Sequence, residues 1–291
     1  MRMAALLRTM RPAQWVKNAF VFSALIFAQR LLDAGAVLRS LAAFVIFCLV
    51  SGAVYILNDI LDLEEDRRHP RKSKRPLASG TLGVRAAATA VVVLCVLCGP
   101  AAFVLDVWFG LCVLSYFLIQ ALYAARLKHV VILDVFVIAL GFVLRVVAGA
   151  LVLRVEASPW LLICTILLAL FLALSKRRHE LVLLEDDAQE HRPVLGEYSA
   201  YLLDQMIAVV TASTVIAYCL YTMSPETVKK FGTSRLIFTV PFVLYGIFRY
   251  LYLVHQRGEG GSPEALLMRD KPLLGAIVLW FATATLIIYF R

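Results

Sequence analysis

The sequence predicts an all-α membrane protein, a polytopic bundle of nine transmembrane helices with its N-terminus in the cytoplasm. Three observations support this prediction. Of the 291 residues, 62% are hydrophobic and 17% are charged, which is too apolar for a soluble domain of this size. The apolar residues form nine runs near the roughly 20-residue length that crosses a hydrocarbon core of about 30 Å. The basic residues are distributed unequally among the segments that connect these runs.

Each apolar run is bounded by charged residues or by Pro and Gly, and each predicts one helix. The nine predicted helices cover residues 18–32, 36–60, 82–102, 104–124, 130–152, 158–178, 203–223, 235–254 and 272–290. The connections between them are short, so we expect a single transmembrane domain over residues 1–291.

The Lys and Arg residues indicate which side of the membrane each connection occupies. With the N-terminus inside, twenty of the 29 Lys and Arg residues lie on the cytoplasmic side and seven lie outside, while Arg85 and Arg145 fall within spans. We therefore predict a multi-pass protein of the inner (plasma) membrane whose charged loops face the cytoplasm. This topology also explains the net charge of +9, so we expect no nucleic-acid partner.

The six cysteines all lie inside apolar runs, where a thiol behaves as a small hydrophobic group, so no disulfide framework is expected. Cys95 and Cys98 have CxxC spacing but no charged or His neighbours in their run. A redox or zinc site is therefore not expected there.

The strongest local pattern is YILNDILDLEEDRRHPRKSKRPLASG, at the end of the second predicted helix. Asn58, Asp62 and Asp66 recur every four residues, and Asp59 adjoins the first. At about 100° per residue, this spacing forms an oxygen-bearing ridge on one helix face. Mg²⁺ prefers such oxygens together with water and substrate phosphate. Carboxylates after a long apolar run are costly and repel one another at this spacing, so the pattern favours a Mg²⁺ site over an ordinary helix end and solvated loop.

Two groups of basic residues are candidate phosphate ligands. Lys72, Lys74 and Arg75 follow the acidic ridge and could clamp a diphosphate or an acceptor phosphate, although topology explains their charge equally well. In ALSKRRHELVLLEDD, at the end of the sixth predicted helix, Lys176 and Glu180 share a helix face with Arg177 alongside. Considered alone, this second segment is explained equally well in two ways. It is either an ion pair within a helix, next to basic residues that mark the cytoplasmic side, or a ligand site.

Three weaker features complete the candidate site. Lys17 and Asn18, in the opening RPAQWVKN, are available as phosphate donors, and Tyr123 with Lys128 could serve the same purpose at the end of the fourth predicted helix. Arg145 lies well inside the fifth predicted helix and needs a partner there. A structural ion pair and a substrate contact explain Arg145 equally well.

The NDxxDxxxD pattern at Asn58, Asp59, Asp62 and Asp66 opens a basic loop after the second of nine helices. With this motif in this place, the chain resembles the UbiA superfamily of intramembrane prenyltransferases. The resemblance covers essentially the whole chain. The resemblance implies a helical bundle around a central cavity, Mg²⁺ bound to a diphosphate, and a lateral opening for a polyprenyl chain. It implies a metal-diphosphate role for Asn58, Asp62 and Asp66, and a catalytic role for Asp59, Asp62 and Asp66.

The segment after the sixth helix departs from the aromatic prenyltransferases of this family. Those enzymes carry a second Asp-rich motif, whereas this sequence reads KRRHE at positions 176–180. Here, and in RPAQWVKN and NDxxDxxxDRRHPxK, the sequence resembles the decaprenyl-phosphate phosphoribosyltransferase branch. That branch implies transfer of 5-phosphoribose from phosphoribosyl pyrophosphate to a polyprenyl phosphate, for synthesis of a cell-envelope arabinose donor. Lys176, Arg177 and Glu180 would then bind the phosphoribosyl part.

Two alternatives remain at this point. The first keeps the fold but uses a prenyl diphosphate donor and an aromatic or other small acceptor; the several basic positions suit phosphate groups better than a carbocation cavity. The second is a transporter or channel, which interrupted helices or inverted repeats would favour, and neither is evident in the sequence. The expected partners are phosphoribosyl pyrophosphate, a polyprenyl phosphate and the membrane, and a homo-oligomer is compatible with this interpretation.

Overall fold

The computed structural model describes residues 2–70, 72–184 and 193–290, and every regular element within these ranges is a helix. The chain divides into two compact units, Met1–Ala157 and Ser158–Arg291. Each unit has its own helices and its own polar centre. The single domain over residues 1–291 stays a prediction.

Over residues 2–70 and 72–157, the first unit consists of seven α-helices and three 3₁₀ helices. Its α-helices are α1 (Arg2–Thr9), α2 (Ser23–Phe27), α3 (Ala34–Leu61), α4 (Leu63–Arg68), α5 (Val84–Leu105), α6 (Val107–Ala125) and α7 (Leu133–Leu153), and its 3₁₀ helices are Pro12–Phe22, Lys72–Lys74 and Leu127–His129. Phe47 of α3 packs against Phe109 and Tyr116 of α6, with ring centroids 6.0 and 5.3 Å apart. The centre of α3 therefore lies in the core of this unit.

The first predicted transmembrane helix, residues 18–32, differs from the structure. The chain instead forms the 3₁₀ helix Pro12–Phe22 and then the short helix α2. Asn18, Val21 and Ala24 are buried at three-residue intervals, the period of a 3₁₀ helix. The segment also passes so close to α7 that a Cβ atom on Gly149 would lie 2.0 Å from the Val21 carbonyl oxygen. A 3₁₀ helix rises about 2.0 Å per residue, so this segment is longer than an α-helix of equal residue count.

The end of the first unit opposite the Asn58–Asp66 segment is held by arginine and aspartate side chains. Arg39 donates to the carbonyl oxygens of Val152, at 2.9 Å, and Leu105, at 3.1 Å, at the ends of α7 and α5. Asp106 caps α6 by accepting from the Trp108 and Phe109 N–H groups. Burial opposes its charge, but these two N–H groups and Arg154 hold the pKa of Asp106 below its ordinary value.

The second unit consists of six α-helices and two 3₁₀ helices within the described ranges. They are α8 (Pro159–Leu184), α9 (Ala200–Met223), α10 (Pro225–Phe231), α11 (Val240–Gln256), α12 (Pro263–Arg269) and α13 (Lys271–Tyr289), with 3₁₀ helices Pro193–Glu197 and Arg235–Thr239. Tyr218 of α9 shares a hydrogen bond with Thr239 and accepts one from the Trp280 indole of α13. This contact joins three elements of the unit.

Eight of the predicted crossings correspond to helices that are long and apolar enough to span a membrane, within the described part of the chain. The protein is therefore a multi-pass membrane protein with an all-α fold. The ninth crossing and the cytoplasmic N-terminus stay predictions. One boundary is corrected: the sixth predicted helix, residues 158–178, continues to Leu184, because Glu180 pairs with Lys176 and Arg177 at helical spacing instead of ending the helix. The KRRHE segment thus lies within a helix.

Candidate active site

The acidic segment of the first unit keeps helical spacing across the junction of α3 and α4. The Asp62 N–H donates to the Asn58 carbonyl at 2.9 Å, and the Asp66 N–H donates to the Asp62 carbonyl at 2.8 Å. With about 100° per residue, Asn58, Asp59, Asp62 and Asp66 lie within a sector of about 100°. The sequence thus places one amide and three carboxylates along a single face.

Asp59 and Asp66 are joined by arginine. Both carboxylates are almost completely buried, and Arg75 Nη1 lies 3.2 Å from Asp59 Oδ1 and 2.6 Å from Asp66 Oδ2. Arg11 forms a second ion pair with Asp59. Two positive charges therefore compensate the carboxylates of Asp59 and Asp66. Carboxylates this close on one helix face repel each other unless cations lie among them.

Asn58 and Asp62 form a neighbouring pair. The Asn58 amide donates to Asp62 Oδ2 at 2.9 Å, and the Lys128 ammonium binds Asp62 Oδ1. Lys128 lies in the 3₁₀ helix Leu127–His129, which connects α6 to α7. The structure thus brings Lys128 to the acidic motif although 66 residues separate the two in sequence.

One carboxylate oxygen in this cluster lacks a hydrogen bond. Asp66 Oδ1 is buried and has no hydrogen-bond partner among the described residues; the Lys72 ammonium lies 4.0 Å away. A buried anionic oxygen without a hydrogen bond is costly, and such atoms commonly face a ligand or an ion. The available donors are hard oxygens, which suit Mg²⁺.

The described residues contain no group of three or more His, Cys, Asp or Glu side chains placed to hold a metal by themselves. Mg²⁺ needs fewer protein ligands than that, because one or two carboxylates with substrate phosphates complete its shell. The residues therefore fit a Mg²⁺ ion that arrives with a diphosphate. The predicted metal set of Asn58, Asp62 and Asp66 stays a prediction.

Arg11 is a site residue that the sequence analysis missed. It precedes the 3₁₀ helix Pro12–Phe22 with a φ of 53°, in the left-handed region that non-glycine residues seldom adopt. Its guanidinium lies over the Tyr55 ring, 5.0 Å from the centroid, as well as on Asp59. An Arg before Pro in a basic N-terminal segment carries no local signal for such a long-range contact.

Asn18 and Arg145 lie together in a separate buried network. Arg145 donates to Asn18 Oδ1 at 2.7 Å, to the Gly141 carbonyl at 2.7 Å and to the Tyr116 hydroxyl at 2.8 Å. The Asn18 amide in turn donates to Ser51 Oγ at 3.1 Å. Among the described residues, the hydrogen-bond partners of this buried cation are neutral oxygens, so a network of dipoles stands in place of the ion pair that was one of its two explanations.

The other candidate residues of this unit occupy varied positions. Lys17 donates to Gln14, Tyr123 is half-buried near the end of α6, and Lys74 is exposed in the 3₁₀ helix Lys72–Lys74. Lys72 and Arg75 contact the acidic cluster directly. The assignment of all these residues to substrate binding stays a prediction.

The polar centre of the second unit lies in the last turns of α8. Arg177 is 2% exposed, although it carries a full charge, and it pairs with Glu180. The Lys176 ammonium lies 3.9 Å from the other oxygen of the same carboxylate. The predicted grouping of Lys176, Arg177 and Glu180 is therefore present, and it carries a net positive charge.

Comparisons with known proteins agree on the fold and the family. The model of the UbiA prenyltransferase family matches residues 19–269. The chain is 31% identical to the decaprenyl-phosphate phosphoribosyltransferase of Corynebacterium glutamicum, over 98% of this chain and 86% of that protein. The enzyme of the same name from Mycobacterium tuberculosis is also 31% identical, over 96% and 93% of the two chains. A UbiA homolog from Archaeoglobus fulgidus, solved with GPP and Mg²⁺, superposes with a TM-score of 0.73 at 20% identity, over 98% and 99% of the chains.

Proposed function

Because the chain belongs to the UbiA prenyltransferase family, we propose that it is a Mg²⁺-dependent membrane transferase that moves 5-phosphoribose from phosphoribosyl pyrophosphate to a polyprenyl phosphate such as decaprenyl phosphate. Relatives that carry the name decaprenyl-phosphate phosphoribosyltransferase match it over nearly the whole chain, which supports this choice of donor and acceptor. The product would serve as a precursor of the cell-envelope arabinose donor.

The observation that carries the proposal is the chemical contrast between the two polar centres. The centre at Asp59 and Asp66 groups carboxylates with cations that compensate them, and Asp66 retains a buried oxygen without a hydrogen bond among the described residues. The centre at Arg177 is basic, with two cations beside one carboxylate. A prenyl donor carries its charge in one diphosphate, whereas phosphoribosyl pyrophosphate also carries a 5-phosphate. A second, basic centre suits that additional phosphate.

The reaction follows from these charges. The bond from ribose C1 to the diphosphate oxygen breaks, the electron pair leaves with the diphosphate, and a lipid phosphate oxygen bonds to C1 from the opposite face. Mg²⁺, when bound, neutralises charge on the departing diphosphate. Arg75, Lys72 and Lys128, which contact the carboxylates of the first centre, would donate to the same oxygens, and Lys176 and Arg177 would hold the 5-phosphate.

The lipid phosphate needs no strong general base. A phosphate monoester has its second pKa near 6 and is therefore ionised at neutral pH. This agrees with the composition of the acidic cluster, where basic partners compensate the carboxylates of Asp59, Asp62 and Asp66. We assign those carboxylates to holding and orienting the diphosphate through Mg²⁺, with Asn58 as a neutral oxygen ligand of the metal.

We place the site on the cytoplasmic side of the inner membrane. Phosphoribosyl pyrophosphate is a soluble polyanion that does not cross a bilayer, and the positive-inside distribution predicts that both charged segments face the cytoplasm. The polyprenyl acceptor would approach from within the membrane, so the protein would join a water-soluble donor to a lipid.

A transfer assay tests the proposal. Purified protein in nanodiscs is incubated with Mg²⁺, phosphoribosyl pyrophosphate labelled in the ribose, and decaprenyl phosphate. We expect labelled lipid and equimolar diphosphate, and loss of both when EDTA is present. A parallel reaction contains geranylgeranyl diphosphate with a small aromatic acceptor. Turnover there, without labelled lipid from the first reaction, would overturn the proposal in favour of prenyl transfer.

A further inference from the structure

His179 joins the basic segment of α8 to a glycine-rich loop of the same unit. This loop, Gly258–Ser262, connects α11 to α12. The Gly260 N–H donates to His179 Nδ1 at 3.1 Å. Because a backbone N–H can only donate, Nδ1 carries no proton in this contact, and the imidazole is neutral with its proton on Nε2.

The loop fits against His179 only because it lacks side chains there. A Cβ atom on Gly260 would lie 2.8 Å from His179 Cβ, and one on Gly261 would lie 2.8 Å from ring atoms Cδ2 and Nε2. The loop leaves α11 through Gly258, whose φ is +63°, and the Glu259 N–H donates to the Leu253 carbonyl at 3.0 Å. The backbone of the loop is thus fixed at its start and again at His179.

The two residues before Glu180 anchor α8 on one side. Arg178 binds Asp204 of α9 through two nitrogens, at 2.5 and 3.3 Å, and His179 binds the loop. At about 100° per residue, these side chains leave α8 at about 200° and 300° from Lys176. Arg177 and Glu180 leave it at about 100° and 40°. The anchors therefore lie on one half of the helix and the charged trio on the other.

We propose that His179 is a positioning residue, which locks the glycine-rich loop to α8 and thereby fixes the rotation at which α8 presents Lys176, Arg177 and Glu180 to the phosphoribosyl donor. The proposal rests on the function proposed above. His179 itself touches no substrate in this account. Its effect is geometric: when the contact to Gly260 is lost, the last turns of α8 keep the Arg178 pair but lose their hydrogen bond to the loop, and the ligands of the 5-phosphate are held less firmly in orientation.

Two substitutions of His179 separate this role from a general contribution to folding. His179→Asn keeps an acceptor oxygen near the place of Nδ1, whereas His179→Gln moves the acceptor to the place of Nε2. We expect His179→Gln to raise the KM for phosphoribosyl pyrophosphate at least about tenfold, with kcat within about threefold, because misplaced binding groups weaken donor capture. His179→Asn should stay within about threefold of the unmodified protein. Equal KM values for the two variants would overturn the proposal.

A second measurement does not depend on the reaction. Amide hydrogen exchange of the loop, followed without substrate, should be faster in His179→Gln than in His179→Asn, because only the former loses the acceptor for the Gly260 N–H. If the unmodified protein makes no labelled lipid, the proposed function fails. The exchange rates still show whether His179 holds the Gly260 N–H. Equal exchange in both variants would overturn the contact itself.

A matched pair of glycine substitutions approaches the same contact from the loop. Gly261→Ala places a methyl group against the His179 ring, whereas Gly275→Ala in α13 meets no atom within 4 Å. We expect Gly261→Ala to reproduce the raised KM of His179→Gln and Gly275→Ala to leave the KM unchanged. A normal KM in Gly261→Ala would contradict the proposal.

Discussion

The acidic centre of the first unit and the basic centre of the second unit are held in different ways. In the first, Asp59 and Asp62 bind cations that are 48 and 66 residues away in sequence, so the ion pairs form only when the unit has folded. In the second, Glu180 pairs with residues three and four positions before it on the same helix. The first centre is a product of tertiary structure, and the second is largely a property of one helix.

This difference has a consequence for function. Ion pairs assembled from distant segments fix carboxylates without the flexibility of a loop, and this suits a site that must hold a metal-diphosphate in one geometry. Pairs within a helix need outside anchors to fix the rotation of that helix, and Arg178 and His179 supply them. The two centres can therefore be disturbed separately.

The largest effect is expected at the acidic centre. Asp66→Asn removes the negative charge beside the oxygen without a hydrogen bond, and we expect Mg²⁺-dependent transfer to fall about 1,000-fold, equivalent to about 4 kcal/mol. The measurement is kcat with a Mg²⁺ titration. Glu64→Gln is the matched control, because Glu64 lies in the same helix but is exposed and pairs only locally, with Arg67. Transfer that survives Asp66→Asn at the unmodified rate would remove Asp66 from the site.

The next effect concerns stability in the second unit. Arg177 is buried beside Glu180, whereas Lys176 is about 40% exposed beside the same carboxylate. Arg177→Gln removes a charged hydrogen bond at a buried position and leaves Glu180 with the more distant Lys176, so it should lower the free energy of unfolding by about 2 kcal/mol. Lys176→Gln should lower it by about 0.5 kcal/mol, as for a surface pair. Thermal unfolding in detergent compares the two variants, and equal midpoints would show that burial does not distinguish these cations.

Much of this structure could be predicted from sequence, because hydrophobic runs and charge asymmetry are strong signals in membrane proteins. The eight long spans and the acidic ridge fall within a few residues of their predicted positions. The extension of α8 was not predicted, because a charged segment after an apolar run normally marks the end of a transmembrane helix. The sequence does not show that these charges are paired within the helix. The 3₁₀ helix Pro12–Phe22 was not predicted either, because the close approach of Val21 to Gly149 that accompanies it is a tertiary contact.

The sequence also predicted which residues would share a helix face better than how they would pair. Asn58, Asp62 and Asp66 share a face as expected, but Arg75 joins Asp66 to Asp59 rather than to Asp62. The contact between Lys128 and Asp62 depends on how α6 and α7 pack, and the backbone of Arg11 depends on a left-handed φ. Neither follows from local spacing.

A smaller effect tests whether the cations of the acidic centre compete with the metal. Lys128→Met removes the positive charge bound to Asp62 but keeps much of the side-chain volume. We expect the Mg²⁺ concentration at half-maximal rate to fall, because the carboxylate becomes more available. The KM for the donor should rise about tenfold, about 1.4 kcal/mol, because a phosphate ligand is lost. Opposite shifts would distinguish Lys128 from a purely structural lysine, for which both constants would stay the same.

The smallest effect lies at the opposite end of the first unit and tests whether that end is independent of the acidic centre. Asp106→Ala removes the acceptor for two N–H groups at the start of α6 and should cost about 1 kcal/mol of stability, with no change in donor KM. Because the folded pKa of Asp106 lies below its ordinary value, its stabilising charge is present above about pH 3.9 and is lost as pH falls through the folded pKa. The difference in unfolding midpoint between the two proteins should therefore shrink in acid. A changed donor KM at neutral pH would show instead that the two ends of this unit are coupled, because Asp106 contacts neither the acidic residues nor their cations.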